Sequence, residues 1–374
     1  MNREFWKNFD FWLFGAVVFL CVFGIVMIRS TIAGSAGLAG LDRRQTIFVA
    51  MGVVVIIVTA LIDYRYWASL TRVMYIGTVA FLVVIYVVGT VAYGSARWLD
   101  TGLVFVQPSE LAKIVLIIVL ANFFSNAKTQ MHDFRWIIQS FLVTFGIVLW
   151  ILLQPNLSTS IVMFVLWMSM LWVSGLPPKY LVYFALLGVL GLGLFLGLIA
   201  SGIEIPFIKD YQIARVVNFI FPDPNARHGN AYNVEQALVT IGSGGLFGQG
   251  YGHSTQVQLR YLKVRHTDFI FSAMAAEFGF VGVCVVVGML IFVILRCLRT
   301  ARLAADPFGA LIAYGFATLL FFQASVNIGV NLNVIPVTGL TLPFISYGGS
   351  SLLSLVLGIG LVESVAARHK SLDF

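Results

Sequence analysis

Arg260-Tyr-Leu-Lys-Val-Arg-His-Thr-Asp-Phe-Ile-Phe-Ser-Ala-Met-Ala-Ala-Glu-Phe-Gly-Phe-Val-Gly282 changes character in its middle. Up to Thr267 it is basic and water-compatible, with Arg260, Lys263 and Arg265 close together. From Phe269 it turns apolar and stays so to about residue 295. A run of that length is a membrane span, and an acid within it, here Glu277, is expensive in lipid. Asp268 stands at the junction.

Working outward, the rest of the chain repeats the apolar pattern. Of 374 residues 60% are hydrophobic and 10% charged, against about 25% charged in soluble domains. Ten apolar runs have spanning length: 11–29, 45–62, 73–92, 107–125, 135–153, 158–175, 180–202, 269–295, 308–330 and 346–366. The first is as long as a span, and no cleavable signal is evident. A Gln154-Pro155-Asn156 turn and a Pro177-Pro178 pair punctuate the middle runs. The expected fold is an all-α polytopic membrane protein of ten transmembrane helices. It forms one integral domain, 1–374, with one long extracytoplasmic loop, about 203–267, between helices seven and eight.

Lys and Arg placement sets the orientation. With the N-terminus inside, most basic residues fall on inner loops, and the short outer loops hold Arg29, Arg43, Arg44 and Arg97. Both termini are therefore expected in the cytoplasm, and Asp268 at the outer surface. The net charge of +7 points to anionic lipid or pyrophosphate neighbours rather than nucleic acid. A basic cytoplasmic face accounts for it equally well. Cys21, Cys284 and Cys297 are odd in number and sit in apolar segments, which offers no disulfide framework and no metal spacing.

Several side chains are candidates for chemistry. Glu110 and Lys113 lie three apart on one helix face and can pair, either as a packed ion pair or as a polar wall of a cavity. Glu277 lies half a turn out of phase with Asp268 and about 13 Å deeper, so the two are not a paired-carboxylate site. Glu363 is expected at the membrane interface. In the outer loop, Gln236 to Ile241 reads as a short helix that breaks into Gly242-Ser-Gly-Gly-Leu-Phe-Gly-Gln-Gly-Tyr-Gly252. That backbone is either a flexible loop or a cradle for an anion. Asp268 opens a helix, so it is either a cap or a general base. A capping box would want Glu or Gln at 270 or 271, where Ile270 and Phe271 stand. A helix N-terminus would lower its pKa and burial against Phe269 and Phe271 would raise it, and the residues alone leave both roles open.

Four motifs carry a resemblance: His266-Thr-Asp-Phe-Ile-Phe271 with Glu277 and Gly279, Gln107-Pro-Ser-Glu-Leu-Ala-Lys113, Ile241-Gly-Ser-Gly-Gly245, and Pro336-Val-Thr-Gly-Leu-Thr-Leu-Pro-Phe-Ile-Ser-Tyr-Gly-Gly-Ser-Ser351. Their content and order resemble the SEDS family of shape, elongation, division and sporulation proteins, over almost the whole chain. The resemblance implies a ten-helix peptidoglycan glycosyltransferase that polymerises lipid II on the outer face of the bacterial cytoplasmic membrane. Within the family, the short N-terminal segment and Ile62-Asp-Tyr-Arg65 look more like the RodA branch, for elongation and shape. The alternatives are a division-specific FtsW-type polymerase or a lipid II flippase.

The resemblance makes Asp268 the catalytic base. Arg97, Trp98, Glu110, Lys113, Arg215, Gln236, Lys263, Arg265, His266, Ser346 and Ser350 then become candidates to hold substrate. No cofactor motif is present, and Mg or Mn would arrive on the substrate diphosphate. The implied partners are lipid II, a class B penicillin-binding transpeptidase and membrane lipids. Two departures stand out. Gln154-Pro-Asn-Leu-Ser-Thr159 has Asn156 where the family usually has Asp, and Lys263-Val264 replaces the usual Pro-Glu. A base or metal-ligand role at position 156 is thereby put in doubt.

Overall fold

The computed structural model describes residues 3–92, 99–100, 105–126, 134–154, 156–201, 210–221 and 230–369. A short helix α1 (Arg3–Asn8) leads into α2 (Phe11–Ile32), whose first turn Asp10 caps by accepting from the Leu13 N–H at 3.0 Å. Then come α3 (Leu41–Leu61), α4 (Arg65–Ala92), α5 (Pro108–Ser125), α6 (Phe134–Leu153), α7 (Leu157–Val173) and α8 (Pro178–Ala200). After the long segment that follows α8, α12 (Ile270–Leu303), α13 (Pro307–Asn331) and α14 (Gly349–Ala366) complete the bundle. Every expected apolar run is a helix. Eight of these helices are long and apolar enough to cross a membrane, and α7, with 17 residues, and α8 are apolar as well.

The all-α class holds, with one small addition: Leu99–Asp100 (β1) and Phe105–Val106 (β2) pair antiparallel. The segment 203–267 is not simply a loop, for it carries α9 (Asp210–Ile220), α10 (Asn230–Ser243) and α11 (Thr255–Gln258). The reason for α10 is a buried stripe of small and apolar residues at helical spacing: Val234, Ala237 and Thr240 are buried, and α10 packs on α12.

The most buried helix is α14, enclosed by α3, α13, α5 and α12. Small residues permit the close approach: a Cβ on Gly360 would meet the Ile56 carbonyl oxygen at 2.9 Å. Between α13 and α14 the chain is irregular yet runs inside the protein, with Leu340, Leu342, Phe344 and Ile345 buried. Irregular backbone within a bundle persists only where its polar groups find partners. Here the Ser346 hydroxyl accepts from Leu342 N at 2.9 Å and donates to the Thr267 carbonyl at 2.8 Å. Tyr347 N donates to the His266 carbonyl at 2.9 Å. This re-entrant segment is thereby fastened to the stretch that precedes α12.

The helix α12 is broken at Gly279, whose φ of 66° and ψ of −169° are open essentially to glycine alone. The glycine-rich run after α10 closes the break. Gln249 N and Gly250 N donate to the carbonyls of Ala276 (2.9 Å) and Glu277 (3.0 Å). In return Phe280 N and Val281 N donate to Gly245 (2.9 Å) and Leu246 (3.1 Å). Against the anion-cradle reading, the amides of Gln249 and Gly250 are taken by carbonyls that the broken helix frees. Glycines are required because a Cβ on Gly248 would meet the Glu277 oxygen at 2.2 Å. Glu277 itself is buried and accepts from the Ser30 hydroxyl.

At the other end of the bundle, charges tie the helices together. Asp306 caps α13 through Gly309 N at 2.8 Å and also accepts from Tyr64 (2.5 Å) and Arg65 (3.1 Å). Glu363 is fully buried rather than interfacial. It accepts the Asp10 N–H at 3.0 Å, and a free N–H at the start of α2 is what draws it inward.

Candidate active site

Asp268 sits one residue ahead of Phe269, the N-cap position of α12, and that N-cap makes no side-chain hydrogen bond. The role of capping α12 belongs instead to a side chain from another helix. Asn331, at the end of α13, accepts from Ser272 N at 3.1 Å and from the Ser272 hydroxyl at 2.6 Å. The same Asn331 donates to the Asp268 carbonyl at 2.9 Å. Asn327, one turn earlier, donates to that carbonyl at 3.0 Å and to Leu340 at 2.7 Å. Two buried asparagines therefore clamp the backbone of Asp268. Its carboxylate makes no hydrogen bond among the described residues and is part exposed. A Cβ on Gly339, in the re-entrant segment, would lie 3.8 Å from Asp268 Oδ2, so this segment borders the carboxylate.

Although part exposed, the carboxylate is crowded closely enough by protein that loss of hydration dominates its titration. Burial pushes its pKa up to about 6, and the positive charge of Arg215 opposes the rise. Burial outweighs that opposing charge. A carboxyl titrating near 6 is ionised at neutral pH yet basic enough to take a proton. Burial, then the charge of Arg265, holds the neighbouring His266 below its ordinary value, so its ring stays neutral.

The other candidates fall into three groups. Arg215, on α9, reaches the Thr338 carbonyl at 3.4 Å, next to Gly339. Ser346 and His266 belong to the junction between the re-entrant segment and the Asp268 stretch, where Ser346 acts as a staple. The Glu110–Lys113 pair is buried on α5, with Lys113 Nζ 2.9 Å from each Glu110 oxygen. The start of α7 connects that pair to the Asp268 corner. Asn156 caps α7 through Thr159 and donates to Ser109 at 3.4 Å. Ser158 donates to the Thr338 carbonyl at 2.5 Å. An aspartate at 156 could cap in the same way, but it could not donate to Ser109.

The remaining candidates stand apart. Ser350 is buried in the first turn of α14. Gln236 is half-buried on α10, and Lys263 is exposed with its ammonium 6.0 Å from the Tyr232 ring centre. Arg265 is buried, and its guanidinium donates to the carbonyls of Thr31 (2.6 Å) and Leu262 (3.5 Å) and to the Ser35 hydroxyl (2.9 Å). It anchors the stretch before α12 to the end of α2. Arg97 and Trp98 lie outside the described residues. Among the described residues no three His, Cys, Asp or Glu side chains gather as a metal site would require. Asn327 and Asn331 were not among the candidates, although two asparagines one turn apart in an apolar helix are a readable signal.

A bundle of apolar helices with a clamped, part-exposed carboxylate at the start of one of them is the build of a multi-pass membrane protein with a candidate site at one end. The profile of the FtsW/RodA/SpoVE family, described as a cell cycle protein, matches residues 11–371, and the chain belongs to that family. It is 33% identical over 381 residues to the probable peptidoglycan glycosyltransferase FtsW of Geobacter metallireducens, covering 99% of this chain and 98% of the relative. It is 35% identical over 337 residues to the peptidoglycan glycosyltransferase MrdB of Escherichia coli K12, covering 89% and 88%. Among solved structures it matches a chain from a peptidoglycan synthase complex that coordinates polymerisation and crosslinking. That match has a TM-score of 0.76 and 31% identity, over 96% of this chain and 97% of the other.

Proposed function

We propose that this protein is an inverting peptidoglycan glycosyltransferase that polymerises lipid II into β-1,4 glycan strands, with Asp268 as its general base. The observation that carries the reading is the arrangement at Asp268, whose backbone is fixed by Asn327 and Asn331 while its desolvated carboxylate is left without a hydrogen-bond partner among the described residues. A structural aspartate would use its carboxylate to hold the fold. This one is itself held.

The reading implies a single displacement at the anomeric carbon of the donor. Asp268 takes the proton from the 4-hydroxyl of the acceptor N-acetylglucosamine. The freed oxygen attacks the anomeric carbon of the donor N-acetylmuramic acid and forms the new C–O bond. The bond to the lipid diphosphate breaks on the opposite face, its electron pair leaves with the diphosphate, and configuration inverts from α to β. The charge on the leaving group needs fixed positive neighbours. Arg215, beside the Asp268 corner, is the residue best placed, with Lys263 exposed nearby in the chain. Lys113 and Arg265 are committed to Glu110 and to backbone carbonyls, so they shape the site rather than meet the phosphate. A divalent cation, where one takes part, enters with the diphosphate as part of the substrate.

The reading places the site on the outer face of the cytoplasmic membrane, with both termini inside. It gives the chain a class B penicillin-binding transpeptidase as partner, crosslinking what the chain polymerises. Ile62-Asp-Tyr-Arg65 favours the RodA branch, and restoring rod shape rather than division in depleted cells tests that assignment. The test of the reaction is incubation of the purified chain in detergent with labelled lipid II, with and without such a transpeptidase. A ladder of uncrosslinked glycan that disappears in Asp268→Asn is expected. Retained polymerisation in that variant would remove Asp268 from the role. A chain that makes no polymer in either condition, yet moves lipid II across a vesicle membrane, would replace the reading with transport.

A further inference from the structure

At the end of the bundle opposite Asp268 lies a cavity of about 470 Å³ that the proposed reaction does not use. It falls within the roughly 300–1,000 Å³ of small-molecule sites. The two sites are separated by the length of α12, since Asp268 precedes its first turn and Arg296 and Arg299 stand near its last. Lys7, Asp10, Arg296, Arg299 and His369 contribute the charged and titratable groups of the wall. Asp10 is the one acid among them, and Arg296 neutralises it at 2.7 Å. Lys7 and Arg299 have no ion-pair partner among the described residues, and both are exposed. The cavity therefore carries two uncompensated positive charges on a rigid frame, for Asp10 is held by the cap of α2 and by Glu363.

The surroundings say what kind of anion fits. Phe11 and Trp12 line the same cavity and are 58% and 73% exposed. The short helix α1 stacks Phe5 and Trp6 into one aromatic group with Phe9, Phe11 and Phe14. The Arg368 guanidinium lies 5.5 Å from the Phe5 ring. Exposed aromatics beside basic residues at the end of a spanning helix sit at the level of lipid headgroups. We infer that this cavity binds a phosphate-bearing anion, and that the occupant is the headgroup of an anionic phospholipid in the leaflet at this end of the bundle. A free phosphate shares the charge chemistry but gives no account of the exposed aromatic rim. The site would tie α1 and the end of α12 to the bilayer surface.

The test uses the full chain in nanodiscs of phosphatidylcholine with and without phosphatidylglycerol, read by lipid adducts in native mass spectrometry and by the unfolding temperature. Phosphatidylglycerol is expected to be retained selectively and to raise the unfolding temperature. Lys7→Gln and Arg299→Gln should each weaken retention about fivefold, and together roughly 30-fold, as loss of one surface cation each implies. Neither residue forms an ion pair among the described residues, so both variants should fold. Arg302→Gln removes an equal charge from the same helix end outside the cavity wall and should retain the lipid. Equal retention of both lipids, or equal loss in Arg302→Gln, overturns the inference. Stabilisation by inorganic phosphate in phosphatidylcholine discs to the same degree would overturn the lipid as the occupant.

Discussion

Asp268→Asn should make the protein more stable as it makes it inactive. The carboxyl titrates near 6 in the folded chain because burial penalises its charge. An exposed carboxyl of this kind titrates at about 3.9. A raised folded-state value means that the folded protein holds the proton more tightly than the unfolded chain. Stability is then unaffected below about pH 4, falls as pH rises between about 4 and 6, and is lowest above that window. At about 1.4 kcal/mol per pH unit, the ionised side chain costs ~3 kcal/mol at pH 7 and ~1.5 kcal/mol at pH 5. Asparagine keeps the shape and removes the charge. Thermal unfolding of parent and variant in one detergent, from pH 4 to 8, should show little gap at pH 4 and a widening one to about pH 7. Beyond that the variant should stay above the parent by a constant margin. Polymerisation by the parent should fall about tenfold between pH 7 and pH 5 as the base is protonated. A variant less stable than the parent, or a gap independent of pH, would refute the claim that Asp268 is held in a desolvated, destabilised state for chemistry.

Three further outcomes follow. Asn331→Leu should slow polymerisation at least tenfold and cost about 1–3 kcal/mol, because the Ser272 donors lose their acceptor and the Asp268 carbonyl loses one donor. An unchanged rate in a folded variant would show that the clamp does not position the base. Gly279→Ala should cost at least ~2 kcal/mol from the disallowed backbone conformation and from a Cβ only 2.3 Å from Gly248 N, seen as a lowered unfolding temperature. Glu110→Gln or Lys113→Met alone should cost about 3–5 kcal/mol by leaving one buried charge unpaired, and the double substitution should be milder. Normal stability of both single variants would reduce the pair to a passive contact.

The apolar runs were legible as helices because lipid demands length and hydropathy, and both are written in consecutive residues. The setting of Asp268 was not legible from its own neighbours. The side chains that clamp it, Asn327 and Asn331, are 59 and 63 residues away in sequence. The glycine run after α10 was recognisable as backbone with amides to offer, but the groups that accept them are carbonyls at a helix break, and no local pattern distinguishes these from a bound anion. Arg265 and Glu363 show the same limit for charge. Both read as surface groups, and both are drawn inward by backbone atoms at the two ends of α2, the carbonyl of Thr31 for the first and the N–H of its cap Asp10 for the second.

The break at Gly279 also bears on how the chain enters a membrane. A helix interrupted in mid-span would meet the bilayer with amides and carbonyls that lipid cannot satisfy. The segment that satisfies them, from Gly245 to Gly250, lies earlier in the chain, so it is synthesised first and waits at the surface when α12 is inserted. Partition of α12 into lipid and docking of that segment are then one event rather than two. A lesion in the glycine run should appear in the cell as failed insertion and degradation, well before any question of catalysis arises.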